Sequence, residues 1–245
     1  MGDTTNDPII ASRRPLPYPS LARSEDYYTE GALVWLEADQ IIRNGTAGAK
    51  GLDDFAKAFF GMRDGDWGEL TYDFDHVVAA LDAVYPYDWA GFLTTRLLTP
   101  GQPAPLKGIE MAGYKLVWRD TPNPYDKGRF DAGKGIDLTY SLGLALDEDG
   151  VVTSTLWDGP AFDAGIVNGA KIVAVDGEEY HQDRIKDAIK AAAGGKAPIA
   201  LLVKRGERYD TVSVDYHGGL RYPWLEPVGP GEQPLDRLLA PRGSG

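Results

Sequence analysis

The spacing of apolar residues changes once along the chain, around residues 99–108, and this change constrains the fold more than any other feature. Before it, apolar residues recur every three or four positions, as in amphipathic helices; after it, they alternate in short runs, as in half-buried strands. The segment itself, "TPGQPAPLKG", holds three prolines and two glycines, which is typical of a linker. The sequence therefore predicts a helical part followed by a part built mainly from strands.

The first part, residues 1–105, reads as a helical domain with short connections. Trp35, Ala38 and Ile42 share one face of the first predicted helix at helical spacing. Asp73 is a good residue to cap the third helix. The sequence predicts four helices, over about residues 24–43, 52–60, 74–84 and 88–98.

The second part, residues 106–228, combines short strands with one clear helix at residues 182–193. This combination predicts a small, partly open β-barrel, and residues 229–245 form a tail. The fold class is therefore α+β with two domains. The sequence predicts strands at residues 114–118, 142–146, 151–157, 171–175, 199–203 and 211–216.

Charge and composition narrow the classes of partner. The chain has 25 basic and 37 acidic residues, a net charge of −12. A surface of this sign repels phosphate backbones, so nucleic acid is not expected as a partner. The absence of cysteine from the sequence excludes disulfides and thiolate metal sites. No run approaches the ~20 apolar residues of a membrane-spanning helix.

Three motifs in the second part occur in a specific order: "YSLGL" at residues 140–144, "DGPAFDAGIVNGAKIVAVDGEEY" at 158–180, and "VKRGERYDTVSV" at 203–214. This order resembles a PDZ domain in the permuted arrangement of bacterial proteases. The resemblance implies that a peptide, or the C-terminus of a protein, binds as an added strand beside residues 144–146.

In that arrangement the backbone N–H groups that follow Leu142 and Gly143 would be free to bind a terminal carboxylate, with Gly143 permitting close approach. Leu144 would begin the strand that the peptide joins, and peptide side chains would meet Ile185 and Ile189 on the helix. The alternative interpretation is that these apolar residues simply fill a small core.

The whole chain, from "RSEDYYTEGALVWLEADQIIR" through "YDFDHVVAALDAVYPYDWAGFLTTRL" to the PDZ-like strands, resembles the C-terminal half of the glycyl aminopeptidase family. These proteins are PDZ-containing zinc metallopeptidases of the gluzincin type. The resemblance implies a helical end of a catalytic domain, removal of N-terminal glycine or other small residues from a peptide substrate, and an exported bacterial protein.

Tyr28 is the residue to which the resemblance assigns a catalytic role. In gluzincin aminopeptidases a Tyr-x-x-Gly pattern at the start of a helix supplies a phenol that stabilises the oxyanion of the tetrahedral intermediate, and here it falls on Tyr28 and Gly31. Tyr27 and Tyr28 lie ~100° apart on a helix, so one can pack while the other points into a cleft. We expect Tyr27 to pack.

The zinc motif of the family, His-Glu-x-x-His with a downstream Glu, has no counterpart in this sequence. The three histidines, His76, His181 and His217, do not have that spacing. No metal ligand is therefore predicted here, and the zinc and the general base would belong to a missing N-terminal catalytic portion. The alternative is a non-catalytic adaptor that binds peptides through its PDZ-like part. A His-Glu-x-x-His motif upstream of Asp3 in the natural reading frame would decide between them.

Overall fold

The computed structural model describes residues 26–63, 65–99, 102–133 and 135–241. In chain order the elements are α1 (Asp26–Gly45), α2 (Leu52–Phe60), α3 (Phe74–Val84), α4 (Trp89–Leu98), α5 (Lys107–Met111), β1 (Tyr114–Arg119), α6 (Pro124–Gly133), β2 (Ile136–Leu138), β3 (Leu144–Leu146), β4 (Val152–Thr155), α7 (Pro160–Asp163), β5 (Lys171–Val175), β6 (Glu178–Glu179), α8 (Gln182–Ala192), β7 (Ile199–Arg205), β8 (Arg208–Val214), β9 (Tyr222–Pro227) and α9 (Pro234–Leu239).

The chain divides into two compact units. The helical unit comprises the described residues of 26–115 together with 227–241, and the sheet unit comprises the described residues of 116–226. The first boundary lies inside β1, further along the chain than the composition change at residue 105. The helical unit includes residues 227–241, which comprise the end of the predicted second part and the described residues of the predicted tail (229–245), and which contain α9.

Packing within the helical unit explains where its boundaries lie. α5 lies against α1 so closely that a Cβ added to Gly108 would be 2.5 Å from the backbone nitrogen of Glu37. The phenol of Tyr114 donates a hydrogen bond of 2.6 Å to Asp236 of α9, and the N–H of Leu235 donates to the carbonyl of Ala112 at 3.0 Å. The segment from α5 to Tyr114 and the segment that contains α9 therefore pack with the helices rather than with the sheets.

The four helices predicted in the first part are all present, and local chemistry explains their limits. Asp73 caps α3 by accepting a hydrogen bond from the N–H of His76 at 3.1 Å, as expected. Asp88 accepts one from the N–H of Gly91 at 3.0 Å and begins α4. The helices share one apolar core, formed by Ala38, Ile42, Phe55, Phe59, Leu81, Val84, Trp89 and Leu93.

The sheet unit holds two sheets, with strand orders β2-β3-β4 and β6-β5-β7-β8, while β1 pairs with β9. Asp176 and Gly177 have φ values of 50° and 87° and form a tight turn, which pairs Val175 with Glu178. The inward faces of the strands and of α8 form an apolar core that includes Ile172, Leu201 and Ile189.

The mixed helix-and-sheet class is thus confirmed, and each predicted strand has an observed counterpart. The sheets are open, and within the described residues no strand order closes into a barrel. Sequence patterning missed β2, β6 and β9, which are short or irregular in their apolar alternation, as well as α5, α6, α7 and α9. Among the described residues, no helix is both long and apolar enough to span a membrane.

Candidate functional site

Tyr28 lies in the first turn of α1, and its side chain is 68% exposed. The buried face of α1 includes Val34, Ala38 and Ile42, four residues apart, of which Ala38 and Ile42 belong to the helical core. Tyr28, near the start of the helix, is exposed and does not belong to that buried set. The side chain of Tyr27 lies outside the part of the chain whose side chains are described.

A row of aromatic rings runs from the Tyr28 side of α1. Trp35 is seven residues after Tyr28, two helical turns away and on nearly the same side of the helix. Its ring stacks on Phe55 at 5.7 Å between centroids, and Phe55 stacks on Phe59 at 5.2 Å. Tyr72 meets Phe59 edge-to-face at 5.0 Å. The row connects the core to the loop between α2 and α3.

The end of α2 and that loop expose several large apolar side chains, which we call the aromatic surface: Phe60, Met62, Trp67, Leu70 and Tyr72. Trp67 is 99% exposed and Phe60 74% exposed. Large apolar side chains that are exposed this close together in sequence are candidates for a site of interaction.

The residues predicted to bind a peptide are brought together, but inside the core of the sheet unit. Leu142, Leu144, Ile185 and Ile189 are each 0% exposed and belong to one apolar cluster. Gly143 has a φ of 79°, a left-handed conformation that favours glycine. These positions support the packing alternative for the four apolar side chains.

The backbone around Gly143 differs from the expected arrangement of free N–H groups. The N–H groups of Ser141 and Gly143 both donate to the carbonyl of Leu138, at 2.9 and 3.0 Å. β3 is the middle strand of its sheet, with Leu138 of β2 opposite Leu144. The amide of Gly143 is thus bonded to the last residue of β2, and β2 occupies the edge of β3 beside which a peptide was expected to bind.

A cleft of about 760 Å³ lies beside β2. Its walls are the β2 side, at Gly135 and Ile136, and the face of α8 that carries Lys186 and Lys190. Tyr222 also lines it, and burial raises the pKa of this phenol to about 12. The hydroxyl of Tyr222 is therefore neutral and able to donate a hydrogen bond at physiological pH.

His76 and His217 make polar contacts at different places in the chain. Nδ1 of His76 lies 2.6 Å from Oδ1 of Asp73 at the α3 cap. His217 places Nδ1 3.0 Å from the carbonyl of Ala192 and Nε2 2.9 Å from Asp215. The Ala192 carbonyl, and then the Asp215 carboxylate, raise the pKa of His217. Within the described residues, no three His, Cys, Asp or Glu side chains gather into a group that could hold a metal ion.

Comparison with known proteins gives structural rather than sequence similarity. No family model matches the sequence, and no curated protein matches it. The fold is similar to that of a crystal structure of an aminopeptidase N family protein from Idiomarina loihiensis, with a TM-score of 0.65 and 18% identity. The match covers 92% of this chain and 38% of that chain, so this chain spans well under half of the neighbour's length.

A second match is to the HtrA3 PDZ domain bound to a phage-derived ligand, with 18% identity over 46% of this chain and 91% of that domain. Its TM-score is 0.24.

Sequence reasoning located the helix α8 but not the cleft that its polar face lines. The signal was available in the spacing, because Lys186 and Lys190 are four residues apart on one side of α8 and each follows Ile185 or Ile189 directly, so that it lies ~100° from that buried isoleucine. The cleft also depends on β2, and this strand is only three residues long (Ile136–Leu138), which is too short to be predicted from an apolar pattern.

Proposed function

We propose that this chain is the C-terminal portion of a zinc-dependent aminopeptidase and that its helical unit contributes Tyr28 to the catalytic cleft. The observation that carries the proposal is the fold similarity, over 92% of the chain, to an aminopeptidase N family protein. The order of a helical unit followed by a sheet unit with PDZ-like motifs supports the same assignment.

The proposed role of Tyr28 is to donate a hydrogen bond to the oxygen of the scissile carbonyl as that oxygen becomes negatively charged. Its place in the first turn of α1, with the ring 68% exposed, suits a phenol that meets a ligand rather than the core. One such donor typically contributes about 10²–10³ to kcat, because it acts most strongly on the transition state.

The residues described here do not fit the zinc ion of such enzymes. His76 and His217 are each held by a nearby carboxylate, and His181 precedes α8 in an exposed position. The proposal therefore places the zinc ligands and the general base in a part of the protein that this chain does not include.

The aromatic surface supports the existence of that further part. A ring as exposed as that of Trp67 loses apolar hydration when another surface covers it, which is favourable by about 25 cal/mol per Å². We propose that the metal-binding portion packs there. A preference for N-terminal glycine or another small residue, and export from a bacterial cell, complete the proposal and rest on the resemblance alone.

The test is Tyr28→Phe in the full-length protein, assayed on aminoacyl substrates that carry an N-terminal glycine. We expect kcat to fall by about 10²–10³ with KM nearly unchanged, the mark of a transition-state interaction. Tyr87→Phe, at another partly exposed tyrosine of the helical unit, is the matched control and should keep full activity. A Tyr28→Phe enzyme with unchanged kcat would remove the proposed role.

A second candidate function is a peptide-binding protein without catalysis, which the cleft beside β2 favours. Elemental analysis of the full-length protein separates the two. One zinc per chain together with hydrolysis supports the aminopeptidase, whereas peptide binding with neither zinc nor hydrolysis supports the adaptor.

A further inference from the structure

A cleft of about 620 Å³ lies within the helical unit, beside the C-terminal end of α1 and α9. Its α1 side is polar and includes Gln40 and Arg43, while Pro234 and Leu238 of α9 contribute apolar surface. Tyr28 does not line it. A volume of this size is typical of sites for small molecules. The cleft can therefore hold a small molecule that has one polar and one apolar end.

Gln40, which lines this cleft and is 0% exposed, has an unused hydrogen-bond acceptor. Its Nε2 donates to Oδ2 of Asp39 at 3.2 Å. Because an ionised carboxylate only accepts hydrogen bonds, this contact fixes the orientation of the amide and leaves Oε1 as its free end. Oε1 has no hydrogen-bond partner in the part of the chain that the structure describes. Buried acceptors without a donor are uncommon and costly, so a ligand that carries an N–H group would satisfy this one.

Arg43 has the opposite need, because part of its guanidinium has donors without an acceptor. Its Nε donates to Oδ2 of Asp39 at 2.7 Å, and Asp39 does not line the cleft. Its Nη2 lies 4.0 Å from Oδ2 of Asp53, which is beyond hydrogen-bond range. Among the described residues, the guanidinium therefore makes hydrogen bonds through Nε alone. The N–H groups of its two Nη atoms remain for a carboxylate, the group that an arginine fork fits best.

The charges around the cleft nearly balance, which favours a ligand that carries both signs. Arg43 and Arg237 line the cleft together with Asp53. Asp39 pairs with Arg43, and Glu232 lies 3.6 Å from Arg237; neither carboxylate lines the cleft. A ligand with a net charge of either sign would be repelled by some of these groups. A zwitterion can place its carboxylate near the arginines and its ammonium group near the acceptors.

We propose that the helical unit binds a free α-amino acid with an apolar side chain in this cleft. The carboxylate of the amino acid binds the Nη groups of Arg43 and is attracted by Arg237. Its ammonium group donates to Oε1 of Gln40 and is attracted by Asp53, and its side chain packs on Leu238. The inference rests on the helical unit alone and is independent of the proposed peptidase activity.

Isothermal titration calorimetry with three compounds of the same hydrocarbon skeleton tests the proposal on the full chain. L-Leucine, titrated to about 10 mM, should bind saturably, whereas isocaproate, which lacks the ammonium group, and isoamylamine, which lacks the carboxylate, should each bind at least about tenfold more weakly, a difference of ~1.4 kcal/mol. Absence of saturable leucine binding overturns the proposal. Isocaproate that binds as well as leucine would indicate a plain anion site, and isoamylamine that does so a plain cation site; either result contradicts the proposal.

Two neighbouring leucines of α9 provide a matched pair of variants that locates the site. Leu238 lines the cleft and is half-buried, whereas Leu239 is 73% exposed and does not line it. Leu238→Trp should fill the cleft and abolish leucine binding, and Leu239→Trp should leave binding unchanged. Circular dichroism checks that both variants are folded. Equal effects of the two substitutions would mean that leucine binds elsewhere.

The variant Gln40→Leu tests the buried acceptor while nearly keeping the shape of the side chain. Asp39 retains its hydrogen bonds from Arg43 and from the N–H of Leu52, so the variant should fold. Its affinity for leucine should fall at least about tenfold, whereas its affinity for isocaproate, which has no ammonium group to lose, should not change. Equal losses for both compounds would mean that Gln40 only maintains the shape of the cleft, and an unchanged affinity for leucine would mean that Oε1 does not contact the ligand; both results contradict the proposal.

Discussion

The two units differ in how completely each buries its own apolar residues. Within the described residues, the sheet unit gathers 21 buried side chains into one core, whereas the core of the helical unit has eight. The helical unit in addition exposes the aromatic surface, with Trp67 at 99%. Within the described residues, the sheet unit therefore gathers more apolar side chains into one core, and the helical unit leaves more large apolar side chains exposed.

The units also differ in the polar and charged side chains that they bury. α1 of the helical unit buries Glu37, Asp39 and Gln40, at 5%, 4% and 0% exposure. Asp39 accepts hydrogen bonds from Arg43 at 2.7 Å and from the N–H of Leu52, at the start of α2, at 2.8 Å. Charged side chains thus connect helices in this unit. It follows that single polar substitutions should disturb the helical unit far more than the sheet unit.

The largest effect should come from the ion pair between Glu37 and Arg96. Nη2 of Arg96 donates to Oε1 of Glu37 at 2.9 Å and lies 2.8 Å from Oε2. Arg96→Met should lower the free energy of unfolding by ~3–5 kcal/mol, because it leaves a buried carboxylate without its partner. Hydrogen exchange followed by mass spectrometry should show faster exchange in α1 and α4 and little change in β7.

The double variant Glu37→Leu with Arg96→Met is the control for this prediction. Replacing both partners of a buried pair by apolar residues is often neutral or stabilising, so most of the lost stability should return. If Arg96→Met alone costs less than ~1 kcal/mol, the pair is solvated and the contrast between the units is weaker than we argue.

A smaller effect distinguishes two helical glycines of the same unit. A Cβ at Gly108 would lie 2.5 Å from the backbone nitrogen and 2.8 Å from the Cα of Glu37, neither of which can move aside easily. Gly108→Ala should therefore destabilise the helical unit by ~1–3 kcal/mol. A Cβ at Gly31 meets no described heavy atom within 4 Å, so Gly31→Ala should stabilise α1 by ~0.5–1 kcal/mol.

Urea denaturation of Gly108→Ala and Gly31→Ala measures the expected loss and the expected gain in unfolding free energy in one experiment. Gly31 lies one turn after Tyr28, so the same substitution in the full-length enzyme also reports on the proposed cleft. Stabilisation accompanied by loss of activity would mean that the small residue serves a ligand. Two destabilised variants would mean that Gly31 is packed by residues outside the described ranges.

These glycines show what sequence patterning could predict and what it could not. Helix limits follow from local signals such as the Asp73 cap, and α2 and α3 have the predicted bounds. The close approach of α5 to α1 at Gly108 depends on residues about 70 positions apart in sequence, a kind of contact that helical periodicity does not report.

The peptide-binding region illustrates the same limit. The side chains predicted to bind a peptide, those of Leu142, Leu144, Ile185 and Ile189, are core residues in the structure. Whether such a cluster forms a groove or an interior depends on what pairs with β3. The strand that pairs with it, β2, is three residues long and has too few positions for an alternating pattern to be distinguished from a loop.

The smallest expected effect is a pH-dependent contribution of His217 to the stability of the sheet unit, which the helical unit should not show. The ring nitrogens of His217 face two acceptors, the carbonyl of Ala192 at the end of α8 and the carboxylate of Asp215, so both contacts are hydrogen bonds only when the ring is protonated. The pKa of His217 is raised above its usual value of 6.5. Its contribution to stability is therefore fully present below pH ~6.5 and is lost as pH rises through the higher pKa of the folded protein.

The variant His217→Gln isolates this contribution from that of His76 and His181. The difference in unfolding free energy between wild type and variant, measured in urea, should be larger at pH 5.5 than at pH 8.5. Hydrogen exchange at the C-terminal end of α8 should show the same dependence, while α1 should show none. Because Asp215 is 88% exposed and screened by solvent, Asp215→Asn should reduce the effect less than loss of the ring does. A difference independent of pH would mean that His217 holds α8 as a neutral donor to Ala192 and that titration plays no part.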